Sequence, residues 1–119
     1  MNKLPEDQPD DAGRSAIIRN LNDAFRQTLT GGTVLLTAGV VALGADKQAE
    51  ILAAVRAFHA FTADNDPWDE HDFGAIDVAG ERVFFKIDYY DLTRDFHSPE
   101  PADPEVTERV MTIMLASEY

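Results

Sequence analysis

At 119 residues and 45% hydrophobic side chains, the chain suits one domain that buries about two-thirds of its unfolded surface around a single core. With no cysteine it has no disulfide, thiol nucleophile or thiolate metal site, and no apolar run approaches the roughly 20 residues that span a bilayer. The net charge of −12 is lopsided, with 7 acids and 6 bases in residues 1–60 but 15 acids and 4 bases in residues 61–119, and such a field repels nucleic acid and anionic membrane.

Residues 1–12 carry Pro5, Pro9 and several charges with few apolar side chains, which predicts a mobile acidic tail without the apolar region of an export signal. From there Ile17, Leu21, Ala24, Phe25 and Thr28 recur at helical spacing, so the sequence predicts a helix over 13–29 with Asp10 or Asp11 as its cap and Arg26, Asp23 and Asn22 turned to solvent. Gly31-Gly32 stops it, and TVLLTA reads as a strand over 33–38, followed by a connection between Gly39 and Gly44. Ile51, Leu52, Val55 and Phe58 mark a second helix over 46–61, with His59 at the margin of its apolar stripe.

The stretch from Asp64 to Asp91 joins the densest acid in the chain to its clearest strand signal. Val83, Phe85, Ile87 and Tyr89 alternate with Phe84, Lys86, Asp88 and Tyr90, and Ala79-Gly80 offers a two-residue turn. That turn predicts a hairpin over about 73–90 with Ile76 opposite Val83, Asp77 opposite Arg82 and, further out, His71 opposite Asp88. Residues 92–102 hold two prolines and read as a surface loop. Asp103, Pro104 and Glu105, followed by Val106, Val110, Ile113 and Met114 at helical spacing, predict a last helix over 104–117 with Met111 and Met114 in packing roles. The expected fold is a small α+β domain: a three-stranded antiparallel sheet, with room for a fourth short strand, covered on one face by three helices.

Four segments, NLNDAFRQTLTGG, DNDPWDEHDFGAIDV, FFKIDYYD and TERVMTIMLASEY, together resemble the bacterial domain-of-unknown-function family 3768. The resemblance implies a small proteobacterial protein of a kind often associated with plasmids and brings no activity with it; the cytoplasm is expected from the absence of cysteine. Asp69 stands where such proteins typically show glycine.

Asp64, Asp66, Asp69, Glu70 and Asp72 place five carboxylates within nine residues, beside His71. A hard divalent cation such as calcium or magnesium relieves such repulsion, with Asp64, Asp66, Asp69 and Glu70 as candidate ligands. An EF-hand loop is excluded, because counting from Asp64 its sixth and twelfth positions are Asp69 and Ala75. His71 with Asp72 and with Asp88 or Asp91 makes a candidate base and orienting carboxylate, yet no serine sits in a nucleophile elbow and no phosphate or zinc-protease motif occurs. The balance favours a non-enzymatic binding protein without a cofactor. Its candidate contact residues are Asp64, Asp66, Trp68, Asp69, Glu70, Asp72, Tyr90 and Asp91, where acids and aromatics together suit a basic protein surface. The sharpest form of this expectation is a nucleic-acid mimic that occupies the groove of a nucleic-acid-binding protein; the alternative is a calcium- or magnesium-dependent hydrolase using the same carboxylates.

Overall fold

The computed structural model describes residues 11–119, so the expected tail as far as residue 10, and the candidate cap Asp10, lie outside the described residues. The elements are α1 (Asp11–Thr28), β1 (Thr33–Leu36), α2 (Ala38–Val41), α3 (Ala45–Ala57), β2 (Phe73–Val78), β3 (Glu81–Tyr90) and β4 (Glu108–Leu115), with a 3-10 turn at Ala116–Glu118. The sheet runs β1-β4-β3-β2, with β1 parallel to β4 and the other two pairs antiparallel. The α+β class holds, with the fourth strand that the expectation left room for, in a sheet that is mixed instead of wholly antiparallel.

The expected helix over 104–117 does not form; its residues supply β4, a central strand. Val110, Met111, Ile113 and Met114 are all buried because both faces of β4 are covered, and consecutive burial reproduces apolar residues at spacings of three and four. Asp103 caps a turn instead of a helix, its Oδ1 accepting the Glu105 N–H at 2.9 Å. The β-branched side chains of Val106, Thr107, Val110, Thr112 and Ile113 suit the pleat better than a helical turn.

The hairpin has the expected register, Ile76 facing Val83 and Asp77 facing Arg82, across a turn in which Ala79 and Gly80 both take positive φ, 56° and 79°. Its inner side chains, Val83, Phe85 and Ile87, join Met111 and Ile113 of β4 beneath Phe25 of α1, Val40 of α2 and Ile51 and Val55 of α3. Each such side chain contributes about 1.5–3 kcal/mol by leaving water. Gly74 is required opposite Phe85, since a Cβ there would stand 2.6 Å from Phe85 Cζ and 2.9 Å from Phe58 Cε2.

The helices differ from expectation in three details. On α1 the buried line is Ile18, Asn22, Phe25 and Arg26, so Ile17 is exposed while two residues expected in solvent are buried. The strand at 33–38 ends at Leu36, and the short α2 occupies part of the expected connection. Helix α3 ends at Ala57 instead of residue 61: Phe58 takes extended backbone, its carbonyl accepts from Arg26 Nη2 at 3.2 Å, and Phe58 and Phe61 pack edge-to-face over Phe85. Among the described residues no helix is long and apolar enough to cross a membrane.

Candidate functional site

Asp66 organises the loop between α3 and β2. Its N–H donates to the Thr62 carbonyl at 2.8 Å, and its carboxylate accepts the backbone N–H groups of Glu70 and His71 at 3.1 Å. This is the local turn chemistry of aspartate, and it buries Asp66 to 5% exposure. The loop then turns at Asp69 and His71, both with φ of 57°. Pairing of β2 with β3 runs one residue past Phe73, where the Asp72 carbonyl accepts the Ile87 N–H at 2.8 Å, and breaks at His71, which at a φ of 57° leaves the ladder before it can pair with Asp88 as expected and turns its ring toward α1.

There His71 Nδ1 lies 2.8 Å from Asp23 Oδ1, an oxygen that also accepts from Arg26 Nη1 at 2.9 Å. The imidazole lies flat on Phe61, with centroids 3.8 Å apart and 4° between planes. Nε2 faces Asp66 Oδ2 and Asp69 Oδ1, each at 3.7 Å, across a cavity of about 270 Å³ walled by Phe61, Thr62 and Pro67. One ligand atom from each of Asp66, Asp69 and His71 lies within 4.8 Å of the others. Of the four expected metal ligands, Asp66 and Asp69 enter this group and Asp64 and Glu70 do not. Arg19 closes one side, with Nη1 2.6 Å from Asp69 Oδ2.

Beneath the loop lies a buried polar network. Asn22 Nδ2 donates to the Glu70 carbonyl at 2.9 Å and to Tyr89 Oη at 2.8 Å, Tyr89 Oη donates to Glu70 Oε1 at 2.9 Å, and Arg109 Nε donates to Asn22 Oδ1 at 2.8 Å. Arg109 also donates to the Pro101 carbonyl and lies 5.1 Å from the Tyr89 ring centroid. Burial, reinforced by the charges of Glu70 and Asp72, pushes the Tyr89 hydroxyl well above the ordinary phenol range despite the hydrogen bond from Asn22.

Asp72 occupies the other side of the loop. Among the described residues its carboxylate has no counter-ion and only its own backbone N–H as a donor, and burial, with the charges of Glu70, Asp66 and Asp88, pushes its pKa to about 6. It opens on a recess of about 290 Å³ shared with Tyr90 and His97. Of the remaining expected contact residues, Asp64 and Trp68 are exposed, and Asp91 folds back to accept from Thr93 Oγ1 and the Asp95 N–H. Asn22, Asp23, Arg26, Phe61 and Arg109 went unrecognised in the sequence. Placing the α1 stripe one residue later, on Ile18, would have put Asn22 on the buried face.

Neither a curated protein nor a solved structure matches this chain. The family model described as "Protein of unknown function (DUF3768)" matches residues 36–118, which take in α3, the Asp66 loop and every strand but the first three residues of β1, and the chain belongs to that family.

Proposed function

We propose that this chain is a non-enzymatic binding protein whose acidic half, over residues 64–103, receives a basic macromolecular partner in the bacterial cytoplasm. The observation that carries the reading is Trp68, 75% exposed in the loop that also carries exposed Asp64 and Asp69, the latter paired with Arg19, and sharing a recess with half-buried Glu70. A large indole left in water amid acid is the arrangement in which an arginine stacks on the ring and pairs with a neighbouring carboxylate. In its sharper form the partner is a nucleic-acid-binding protein whose groove the acidic face fills. Attraction of this kind weakens as salt shortens the Debye length from about 30 Å at 0.01 M to about 10 Å at 0.1 M. The test is capture of a partner from host lysate by the native chain and by two charge-matched variants. Asp64→Lys with Asp69→Lys should lose the partner in a salt-sensitive way, whereas Asp46→Lys with Glu50→Lys, exposed on α3, should retain it. Equal retention by both variants rejects the acidic interface, and in the mimicry form the partner must also lose its own nucleic acid as this protein is added.

A second reading, binding of a divalent ion by Asp66, Asp69 and His71, is favoured by the Asp23 carboxylate on His71 Nδ1. Such a contact fixes the tautomer and turns Nε2 toward a metal. Two ligand atoms each about 2.1 Å from one ion stand about 3.0–3.4 Å apart, so an ion would draw the two carboxylates in from 3.7 Å of Nε2 and from within 4.8 Å of each other. The nitrogen donor suits zinc or manganese better than the calcium or magnesium that carboxylates alone suggest, and a bound ion of that class could activate water for hydrolysis. Zinc or manganese should raise the melting temperature in a concentration-dependent way, and Asp69→Asn, which alters a side chain 70% exposed, should abolish the rise. Melting curves that coincide in metal and in chelator dispose of the ion.

A further inference from the structure

We propose that the outer edge of β2 pairs antiparallel with the same edge of a second copy, which joins the two four-stranded sheets into one. The ladder fixes which backbone groups are spare. The Asp72 carbonyl accepts the Ile87 N–H at 2.8 Å, and bonded residues alternate along an antiparallel pair, so Gly74, Ile76 and Val78 also turn their backbone groups to β3. Phe73, Ala75 and Asp77 turn theirs outward, where they find no partner among the described residues, and none of the three is buried. Folded sheets guard such an edge by shortness, proline, lysine, a bulge or unpaired charge. The other edge strand, β1, is four residues long and leads at once into α2. Strand β2 is six residues, FGAIDV, without proline or lysine, and it pairs residue for residue with β3 without a bulge. Its one charge, Asp77, is taken up by Arg82, whose Nε and Nη2 lie 2.8 and 3.0 Å from the two carboxylate oxygens.

The occupant follows from charge and symmetry. In a chain of net charge −12 this edge carries no unpaired acid, so a basic partner is not drawn to it and what it offers is backbone. A second copy meets it group for group. With Ala75 on the twofold axis, Ala75 faces its own copy and Phe73 faces Asp77, so each outward N–H finds an outward carbonyl across the seam. The antiparallel sense also keeps the two acidic loops apart: Asp72 of one copy lies level with Val78 of the other, which sets the two Asp72 residues about 20 Å apart along the strands, twice the Debye length of about 10 Å at 0.1 M. A seam of this length is smaller than the roughly 1,200–2,000 Å² of a standard interface, so the dimer is a weak one, populated at high micromolar to millimolar concentration.

The test is sedimentation equilibrium and amide hydrogen exchange of the chain across protein concentration and salt. The dissociation constant should fall severalfold as salt rises from about 0.01 M to about 0.1 M, because screening relieves repulsion between two chains of like charge; capture of a basic partner weakens over the same range, so the two associations are told apart. The amides of Phe73, Ala75 and Asp77 should gain protection as concentration rises, while β3 protects those of Gly74, Ile76 and Val78 throughout. Ala75→Pro removes one outward N–H per copy and none from the β3 ladder, so it should weaken the dimer about tenfold or more, the loss expected for two backbone hydrogen bonds across the axis. If the proline lowers the urea midpoint of the monomer, Ala75→Lys, which keeps the N–H and sets like charges opposite each other, should weaken the dimer instead. A chain that stays monomeric at millimolar concentration overturns the proposal and leaves the edge to a strand of another protein. A dimer that Ala75→Lys leaves unchanged, or in which the three outward amides exchange as fast as in the monomer, also overturns it. Protection of those amides at every concentration means that the edge is covered within the chain, and growth past the dimer into filaments means that it pairs with a different surface; either result rejects the twofold seam.

Discussion

Replacing Phe85 with alanine tests the core on which the site loop rests. The ring is 0% exposed, meets Phe58 edge-to-face at 5.3 Å and Phe61 at 6.3 Å, and lies 5.9 Å from the Arg26 guanidinium carbon. Truncating a buried phenylalanine costs about 3–5 kcal/mol from lost transfer energy and the cavity left behind. Here the upper half applies, because the ring fills the space opposite a glycine that has no side chain to relax into the void, and each lost aromatic pair adds about 0.5–1.5 kcal/mol. A loss of about 4–5 kcal/mol is a large share of the 5–15 kcal/mol typical of a domain. With a urea slope of about 2 kcal/mol/M, the unfolding midpoint should fall by about 2 M. If the alanine variant is unfolded before urea is added, Phe85→Leu keeps the comparison measurable, at a smaller cost of about 1–3 kcal/mol from the two lost aromatic pairs. A loss under about 2 kcal/mol for Phe85→Ala would mean that the ring is not clamped between β2, β4 and the two phenylalanines, and the packing described above would be wrong.

Two further outcomes follow from the same urea assay. Between about pH 4 and about pH 6 the folded Asp72 carboxyl holds a proton that the unfolded chain has released, so this group makes stability fall as pH rises through that window. Asp72→Asn should remove that component and, at pH 7, gain about 1 kcal/mol once the shift is discounted for the solvent that reaches the group; a variant that tracks the native chain at every pH refutes it. Arg109→Met preserves bulk but strands Asn22 Oδ1 and the Pro101 carbonyl, so it should cost about 2–4 kcal/mol, and a cost below about 1 kcal/mol would show that these acceptors find other donors.

What the sequence made legible was local. Alternation in β3 and the Ala79-Gly80 turn fixed the hairpin to the residue, because a slip by one would have turned Val83, Phe85 and Ile87 to solvent. Residues 104–117 misled because position in the sheet, unseen in a single strand, decides how many faces are buried; β4 is central and its apolar residues run together. The acidic stretch was visible as charge, but which acids would be consumed by the fold was not. Asp66 became a loop cap and Asp91 a turn, while Glu70 entered a network anchored by Asn22 and Arg109, residues 48 and 39 positions away along the chain. The Asp23 contact to His71 spans 48 positions, and no local pattern reports a pairing at that separation.

Those consumed acids explain why α1 gives buried positions to Asn22 and Arg26, which a helix packed only for apolar burial would avoid. Asn22 alone ties α1 to the loop through Glu70, to β3 through Tyr89 and to β4 through Arg109. Arg26 ties Asp23 to the end of α3 and, among the described residues, leaves its Nε without a hydrogen-bond partner against the Phe61 and Phe85 rings. With Glu70 held between them, the consecutive residues His71 and Asp72 are committed to different cavities, the imidazole toward Asp23 and Phe61 and the carboxylate toward Tyr90 and His97. A divergence of this kind needs a backbone reversal at His71, which its φ of 57° supplies, and a rigid floor, which an apolar α1 face would not provide because it could bind neither the Glu70 carbonyl nor the Tyr89 hydroxyl. The buried polar line of α1 therefore belongs to the display of the loop as much as to the core. That dual role is why the two recesses can be tested separately through Asp69 and Asp72 without disturbing the support they share.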